Sequence, residues 1–371
     1  MTAPTVALIY VIDPPALTIQ AILLSASVRR HLPGADVIAY CPEEKIGMVP
    51  PQLREFLAHT RTQLATMPTE GAFSPRYKQG NKLLAAAQPR PHDFTIFLDT
   101  DIVAWRPFDP AEMIEAGAVS ASPEGRFTWG KPAGHWETAY SALGLPVPDD
   151  RIRLARTGAI SPPYFNAGVV GFPSGFGKAW LETAQELDRE EHAVPGRRPW
   201  LDQIALPIAM RLAGLSHKPL DYRFNLSTSH TPVKETMPTN RKAKKQAEID
   251  RLNSIDPFLI HYHSFGSLKD LRYSGYIDDL LREFTIFQSI DDMDWKKHTD
   301  IDAKAVMSEF WSLKKIPSKQ RTADQRRQFS VAHRRKEQLK AAGRNPDKFT
   351  NAWPASILPP RRSVPVYGGS D

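Results

Sequence analysis

Apolar residues along this chain recur in two alternating rhythms. Thr5 to Ile12 is a β-branched apolar run of strand length closed by Asp13-Pro14-Pro15, and Ala16 to His31 repeats apolar residues at helical spacing. Ala35 to Tyr40 predicts a second short strand and Pro51 to Leu57 the start of another helix. Lys82 to Ala87 predicts a helix that leads through Pro89-Arg90-Pro91 into a strand, Phe94 to Leu98, which stops at Asp99-Thr100-Asp101. Such β/α alternation implies a mainly parallel sheet with helices on both faces. Beyond it the rhythm weakens: Glu124 to Pro163 is rich in Gly, Pro and Trp, followed by an apolar stretch at Ala167 to Phe172, a helix at Trp200 to Leu212 and a late strand at Phe258 to His263. The expected organisation is one α/β domain over residues 1–288 and an extension over 289–371.

The 371 residues are 41% hydrophobic and 24% charged, which excludes collagen-like and wholly disordered chains. Apolar runs fall short of the roughly 20 residues that span a bilayer, and the first residues carry no basic start before their apolar stretch. A single cysteine, Cys41, excludes an internal disulfide and a cysteine-based zinc cluster. These features together place the expected site of action in the cytoplasm. The formal charge of +7 is unevenly spread: residues 295–371 hold 17 Lys+Arg against 7 Asp+Glu, which leaves the first 294 residues at −3. A slightly acidic body argues against a nucleic-acid partner. The basic extension, with Arg326-Arg327 and Arg334-Arg335-Lys336 in a helix-compatible stretch, reads as a solvated or partly disordered segment; its other reading is a docking arm for an anionic membrane, which would hold the protein at the inner face. A further basic patch, Arg241 to Lys245, is expected at an exposed loop-to-helix junction.

In an Asp-x-Asp that ends a strand, the period of two directs both carboxylates to one side. Ligands of open α/β sheets gather beyond the carboxyl ends of strands, so Asp99 and Asp101 lie where chemistry is expected. They can share Mg²⁺ or Mn²⁺, hard cations that take carboxylate oxygens together with phosphates. Two acids capping a surface turn are the plain alternative. The segment Phe97 to Val103 also fits the first motif of haloacid-dehalogenase-like phosphatases, with Asp99 as nucleophile, although that motif usually opens its domain and needs a later acid pair after a strand. The late cluster here, Asp291-Asp292-Met293-Asp294, lacks a convincing strand before it. A nonenzymatic protein that uses its basic tail to hold an anionic surface is a third class.

Other segments discriminate among these. His263-Ser264-Phe265-Gly266-Ser267-Leu268-Lys269 contains His-x-x-Gly-x-x-Lys, Phe165 to Val169 reads Phe-Asn-Ala-Gly-Val, Trp200-Leu201-Asp202-Gln203 holds an Asp-Gln pair, and Lys82 lies one helix before the Asp-x-Asp strand. In this order, over residues 5 to 275, the motifs resemble glycosyltransferase family 8, the retaining GT-A enzymes that include glycogenin and the galactosyltransferases of lipopolysaccharide synthesis. The resemblance implies a GT-A fold and transfer of a hexose from a nucleotide-sugar donor, UDP-linked above all, to a glycan or glycolipid acceptor. It implies metal ligation by Asp99, Asp101 and His263, with His261 as an alternative ligand on the same strand face, and a diphosphate contacted by Gly266 and Lys269. Asp202 and Gln203 would hold the donor sugar or face its anomeric carbon, with Asn166 nearby. Lys82, or its competitor Lys78, would reach a sugar hydroxyl or phosphate, and Tyr10 and Asp13 would take the uracil and ribose. After Lys269 the family's Pro-Trp is replaced by Asp270-Leu271, which puts the acceptor side of that loop in doubt. Taken without its neighbours, Asn166-Ala167-Gly168 would be an ordinary turn. Trp129, Trp136 and Tyr140 are either a sugar-stacking surface or a hydrophobic cluster.

Overall fold

A computed structural model describes residues 3–14, 17–228, 240–284, 297–299, 301–341 and 347–349. The described residues fall into two compact units, one before and one after residue 290. The first opens with β1 (Val6–Val11), α1 (Thr18–His31), β2 (Asp36–Pro42), α2 (Pro51–His59), β3 (Thr62–Met67), α3 (Gly80–Ala87) and β4 (Phe94–Leu98). It continues through β5 (Ile102–Ala104), β6 (Ala118–Pro123), α4 (His135–Ser141), β7 (Ile152–Arg153), β8 (Ile160–Ser161), β9 (Phe165–Pro173), α5 (Phe176–Leu187), α6 (Leu201–Leu212), β10 (Ser216–Pro219), β11 (Leu226–Ser227), α7 (Arg241–Ser254), β12 (Leu259–His261) and α8 (Ser274–Phe284).

Seven strands form the central sheet in the order β10-β6-β9-β4-β1-β2-β3. Neighbours are parallel except around β9, which runs antiparallel to both β4 and β6. One helical layer is built from α3, α5 and α6 and another from α1, α2 and α8, so β1 and β4 are apolar along nearly their whole length, as strands covered on both faces must be. The α/β architecture with a mainly parallel sheet is the one that the alternation implied. β3 escapes that reading because Thr-Gln-Leu-Ala-Thr-Met is a half-exposed edge strand, buried only at its two ends. β6 escapes it because Ala-Val-Ser-Ala-Ser-Pro buries small side chains rather than large ones.

A smaller sheet, β11-β12-β5, branches from the end of β4. β12 pairs antiparallel with β5, His261 opposite Ile102. The late strand is shorter than its apolar run, since it ends at His261 and His263 takes a left-handed φ of 56°. The Arg241 to Lys245 patch forms the first turn of α7, capped by the Asn240 side chain, which accepts from the Lys242 amide.

In the second unit, α9 (Ile301–Lys314) and α10 (Ala323–Ala341) pack through Phe310, stacked on Phe329 at 5.3 Å. The basic stretch Arg321 to Lys340 thus lies mostly in a helix. Residues 301–341 hold eleven Lys/Arg and four Asp/Glu, so they account for the whole formal charge excess of the chain. The proline- and glycine-rich end and the Asp291 to Asp294 cluster lie outside the described residues.

Candidate active site

Three backbone pairings bring the acidic and imidazole side chains together. β4 ends at Leu98 opposite Val169 of the antiparallel β9, and the Asp99 amide donates to the Gly168 carbonyl at 2.7 Å, so Asn166 to Gly168 lie beside the Asp-x-Asp. β6 ends opposite Phe165, which places Glu124 at the same edge. β12, paired to β5, carries His261 back over Asp101. The start of α6 supplies Asp202 and Gln203, both buried. These groups line one cavity of about 400 Å³ together with Lys82, Asp99, Asp101, Asn166, His261 and His263.

Gly168 is required by this geometry. A Cβ there would stand 2.5 Å from Cε1 of His261 and 2.7 Å from its Nδ1. Asn166-Ala167-Gly168 is therefore strand, and its glycine serves close approach rather than a turn.

Lys82 is the charge centre of one side. Its Nζ lies 2.9 Å from Asp99 Oδ1 and 2.9 Å from Asp202 Oδ2, and it also donates to the Ala167 carbonyl at 3.1 Å. Burial works against its charge, but Asp202 and then Asp99 outweigh burial and hold the ammonium above the ordinary lysine range. Asp99 is raised, chiefly by burial and further by the nearby Asp101, with Lys82 opposing. Asp202 is held from its other side by the Tyr77 hydroxyl at 3.3 Å.

On the other side, Asp101, His261 and His263 place one possible ligand atom each within 4.8 Å of one another. His261 Nε2 is 3.2 Å from Asp101 Oδ1 and 3.9 Å from Asp99 Oδ2, and the two imidazole centroids are 3.9 Å apart. Burial opposes charge on both members of the Asp101–His261 pair, yet their mutual attraction wins: Asp101 falls below the usual carboxylate range and His261 rises above the usual histidine range. His263 goes the other way, down to about 3, because desolvation of its ring and the neighbouring His261 both disfavour a second cation. The Nδ1–H of His261 can donate to Asn225 Oδ1 at 3.0 Å, which turns Nε2 toward Asp101. Asn225 Nδ2 donates to Asn166 Oδ1 at 2.8 Å, and Asn166 Nδ2 donates to Glu124 Oε2 at 3.1 Å. A continuous amide chain therefore joins the imidazole side to Glu124.

Four expected donor contacts do not meet this cavity. Tyr10 is 1% exposed and its hydroxyl is 2.6 Å from Ser25 Oγ, so its ring is packed in the core and has no free face for a base. Asp13 is nearly buried and paired with Lys45, outside the cavity lining. Gly266, in a short 3₁₀ turn, and Lys269 are exposed and also lie outside the lining. The loop leaves β12 through the left-handed His263, so spacing measured along an extended strand no longer gives direction. Between the competing lysines, Lys82 enters the cavity and exposed Lys78 does not. Trp129, Trp136 and Tyr140 are buried with Tyr164 in an aromatic cluster, Trp129 meeting Trp136 edge-on at 4.9 Å, which excludes a sugar-stacking surface.

Glu124, Asn225 and Arg156 line the cavity without having been singled out in the sequence. Burial raises Glu124, against the amide hydrogen of Gly125 and the Asn166 side chain. No short motif marks these three; the only available signal was Glu124 directly after an apolar segment, in a region whose small residues hid the strand.

A sequence profile of the Rhodobacterales glycosyltransferase domain matches residues 8–214, more than half of the chain. The chain belongs to this family. It is a glycosyltransferase, and the phosphatase and nonenzymatic readings fall away. No curated protein matches its sequence. Among solved structures the glycosyltransferase is similar to the LgtC galactosyltransferase in complex with donor and acceptor sugar analogs, at 16% identity and TM-score 0.47 over 74% of this chain and 94% of that one. It is also similar to mouse xyloside xylosyltransferase 1, at 13% identity and TM-score 0.43 over 70% and 98%. Similarity to the WbbM bifunctional glycosyltransferase is at 13% identity and TM-score 0.42 over 76% of this chain, which spans about half, 52%, of that longer protein.

Proposed function

We propose that this glycosyltransferase has the GT-A fold and moves a hexose from a nucleotide diphosphate, UDP in the first instance, to a hydroxyl of a glycan or glycolipid acceptor, with retention of configuration and with Mn²⁺ or Mg²⁺ as cofactor. The observation that carries the reading is the gathering of Asp101, His261 and His263 within 4.8 Å at the cavity that Lys82, Asp99 and Asp202 close from the other side. One carboxylate and two imidazoles fit a borderline cation, so the donor set favours Mn²⁺ over Mg²⁺, which prefers oxygen alone. When bound, the divalent ion supplies positive charge for the leaving diphosphate.

The chain's own groups do the remaining work. Lys82 keeps Asp99 and Asp202 oriented and offsets part of their charge, so Asp99 acts as a fixed anion beside the cation site rather than as one of its three closest ligands. Asp202 and Gln203 hold the sugar side; Gln203 Oε1 accepts from the Tyr164 hydroxyl at 2.9 Å, and its side chain also hydrogen-bonds Glu124. Glu124 accepts a hydrogen bond from a sugar hydroxyl, kept in place by Asn166. The basic pair α9–α10 is the part suited to an anionic membrane surface; none of the helices among the described residues is long and apolar enough to cross one.

Calorimetry of the full chain with UDP-sugars, with and without Mn²⁺, tests the reading. Metal-dependent binding of one UDP-sugar that disappears in Asp101→Ala, together with a fall of about 100-fold or more in transfer rate, is the expected result. Full activity of Asp101→Ala in excess EDTA would sink the metal site.

A further inference from the structure

The second unit carries a pattern that its net charge alone does not describe. Among the described residues five large apolar side chains are exposed, and two of them, Trp311 at 48% and Val331 at 41%, belong to the α9–α10 pair. Each has cations around it. The face of α9 centred on Trp311 holds Lys304, Met307, Ser308 and Lys314, and the Lys315 amide donates to the Trp311 carbonyl at 3.2 Å, which carries Lys315 onto the same face. Lys304, Lys314 and Lys315 are exposed, and Lys314 Nζ lies 4.7 Å from the Trp311 ring centroid. The acids of that helix, Asp302 and Glu309, fall on its opposite side. On α10 the neighbours of Val331 one turn away are Arg327, Gln328, Arg334 and Arg335, all exposed; Arg327 shares its charge with Asp324 at 3.8 Å.

These two apolar side chains do not make the core of the pair. That core is Val306, Phe310 and Leu313 of α9 with Ala332 of α10, and Trp311 touches it edge-on through Phe310 at 5.2 Å. A lone exposed apolar residue needs no explanation, and a charge run is usually a solvated face. Here the two coincide on both helices. A half-exposed indole is better placed in the headgroup region of a bilayer than in water, and ammonium and guanidinium groups one turn away reach lipid phosphates while their stems lie along apolar surface. A nucleic acid would use the charges and could stack on the indole, but it has no use for the aliphatic Val331.

We infer that α9–α10 is a docking surface for a bilayer with anionic headgroups, in which Trp311 and Val331 enter the interface and the Lys and Arg side chains around them contact lipid phosphate. The inference deepens the acceptor reading given above, since a chain held on a bilayer meets glycolipid acceptors rather than free glycans. It does not depend on the donor chemistry.

Co-sedimentation of the full chain with vesicles of phosphatidylcholine, alone or mixed with phosphatidylglycerol, tests it. Binding to the mixed vesicles only, weakened by added salt, is the expected result. Trp311→Ser should weaken it about tenfold or more, and Lys304→Gln and Lys315→Gln about fivefold per charge. If circular dichroism shows that Trp311→Ser has lost helix, the two lysine variants decide, because they leave every apolar contact in place. Attachment to pure phosphatidylcholine as strong as to the mixture, or none to either, would overturn the inference. So would a folded Trp311→Ser that binds like the wild type, or a preference for single-stranded DNA over the mixed vesicles. Titration of UDP with Mn²⁺ on the same samples reads the donor site separately: vesicle binding without UDP binding would sink the donor reading alone, and the reverse would sink the docking surface alone.

Discussion

On one side of the cavity Lys82 stands between Asp99 and Asp202, each 2.9 Å away, so one cation is shared by two carboxylates. On the other, two imidazoles lie 3.9 Å apart against one carboxylate, with Asn225 taking the outer nitrogen of His261 and Ser227 Oγ 2.8 Å from Nε2 of His263. The first side has its cation in the chain; the second sets one carboxylate against two imidazoles, the set that the proposed reading gives to a metal ion. The two carboxylates of one Asp-x-Asp thus have different nearest partners, Lys82 for Asp99 and His261 for Asp101, although they also act on each other. Equivalent spacing along a strand does not give equivalent chemistry, because the partners that decide it arrive from α3, α6 and β12.

Lys82→Met attacks the lysine side and should cost the most stability, about 3–5 kcal/mol by chemical denaturation, since two carboxylates lose their shared counter-ion. Adding Asp202→Asn should recover part of that loss, and no recovery would mean that the cost lies in packing rather than charge. The cation side answers to pH instead. His261 is raised above the usual histidine value, so its contribution to stability is complete below about pH 6.5 and is lost as pH rises through the raised value. A metal needs the neutral ring, so Mn²⁺ affinity should rise over that same interval with release of about one proton. Calorimetry in buffers of different ionisation enthalpy reads the proton, and a flat profile in the wild type would remove His261 from the ligand set. The smallest effect belongs to Tyr10→Phe, which deletes one buried hydrogen bond to Ser25 and should cost about 1 kcal/mol with UDP affinity unchanged. A selective loss of UDP binding would return Tyr10 to the base site.

Much of the cavity was legible before any coordinates. Lys82, Asp99, Asp101, Asn166, Asp202, Gln203, His261 and His263 were all singled out by residue type, order and position, and all line one cavity. Tyr10 lies away from the cavity, and a strand end beyond a sheet and a buried strand position look alike in sequence: Tyr10 is the penultimate residue of β1, where Ser25 of α1 closes over its hydroxyl. Gly266 and Lys269 lie outside the lining because the chain turns at His263 instead of continuing as a strand.

The sequence by itself determined the β/α order, the mainly parallel sheet, the acidic strand end and the segregation of basic charge, since these follow from periodicity and local composition. Only tertiary structure decided that Asp99 meets lysine and Asp101 histidine, that the rings of His261 and His263 lie side by side, and that Glu124, Asn225 and Arg156 line the cavity. Those outcomes depend on the antiparallel insertion of β9 and the return of β12 onto β5. Such pairings join residues from 71 to 159 positions apart, and no local pattern encodes which side chain a distant strand will bring into contact.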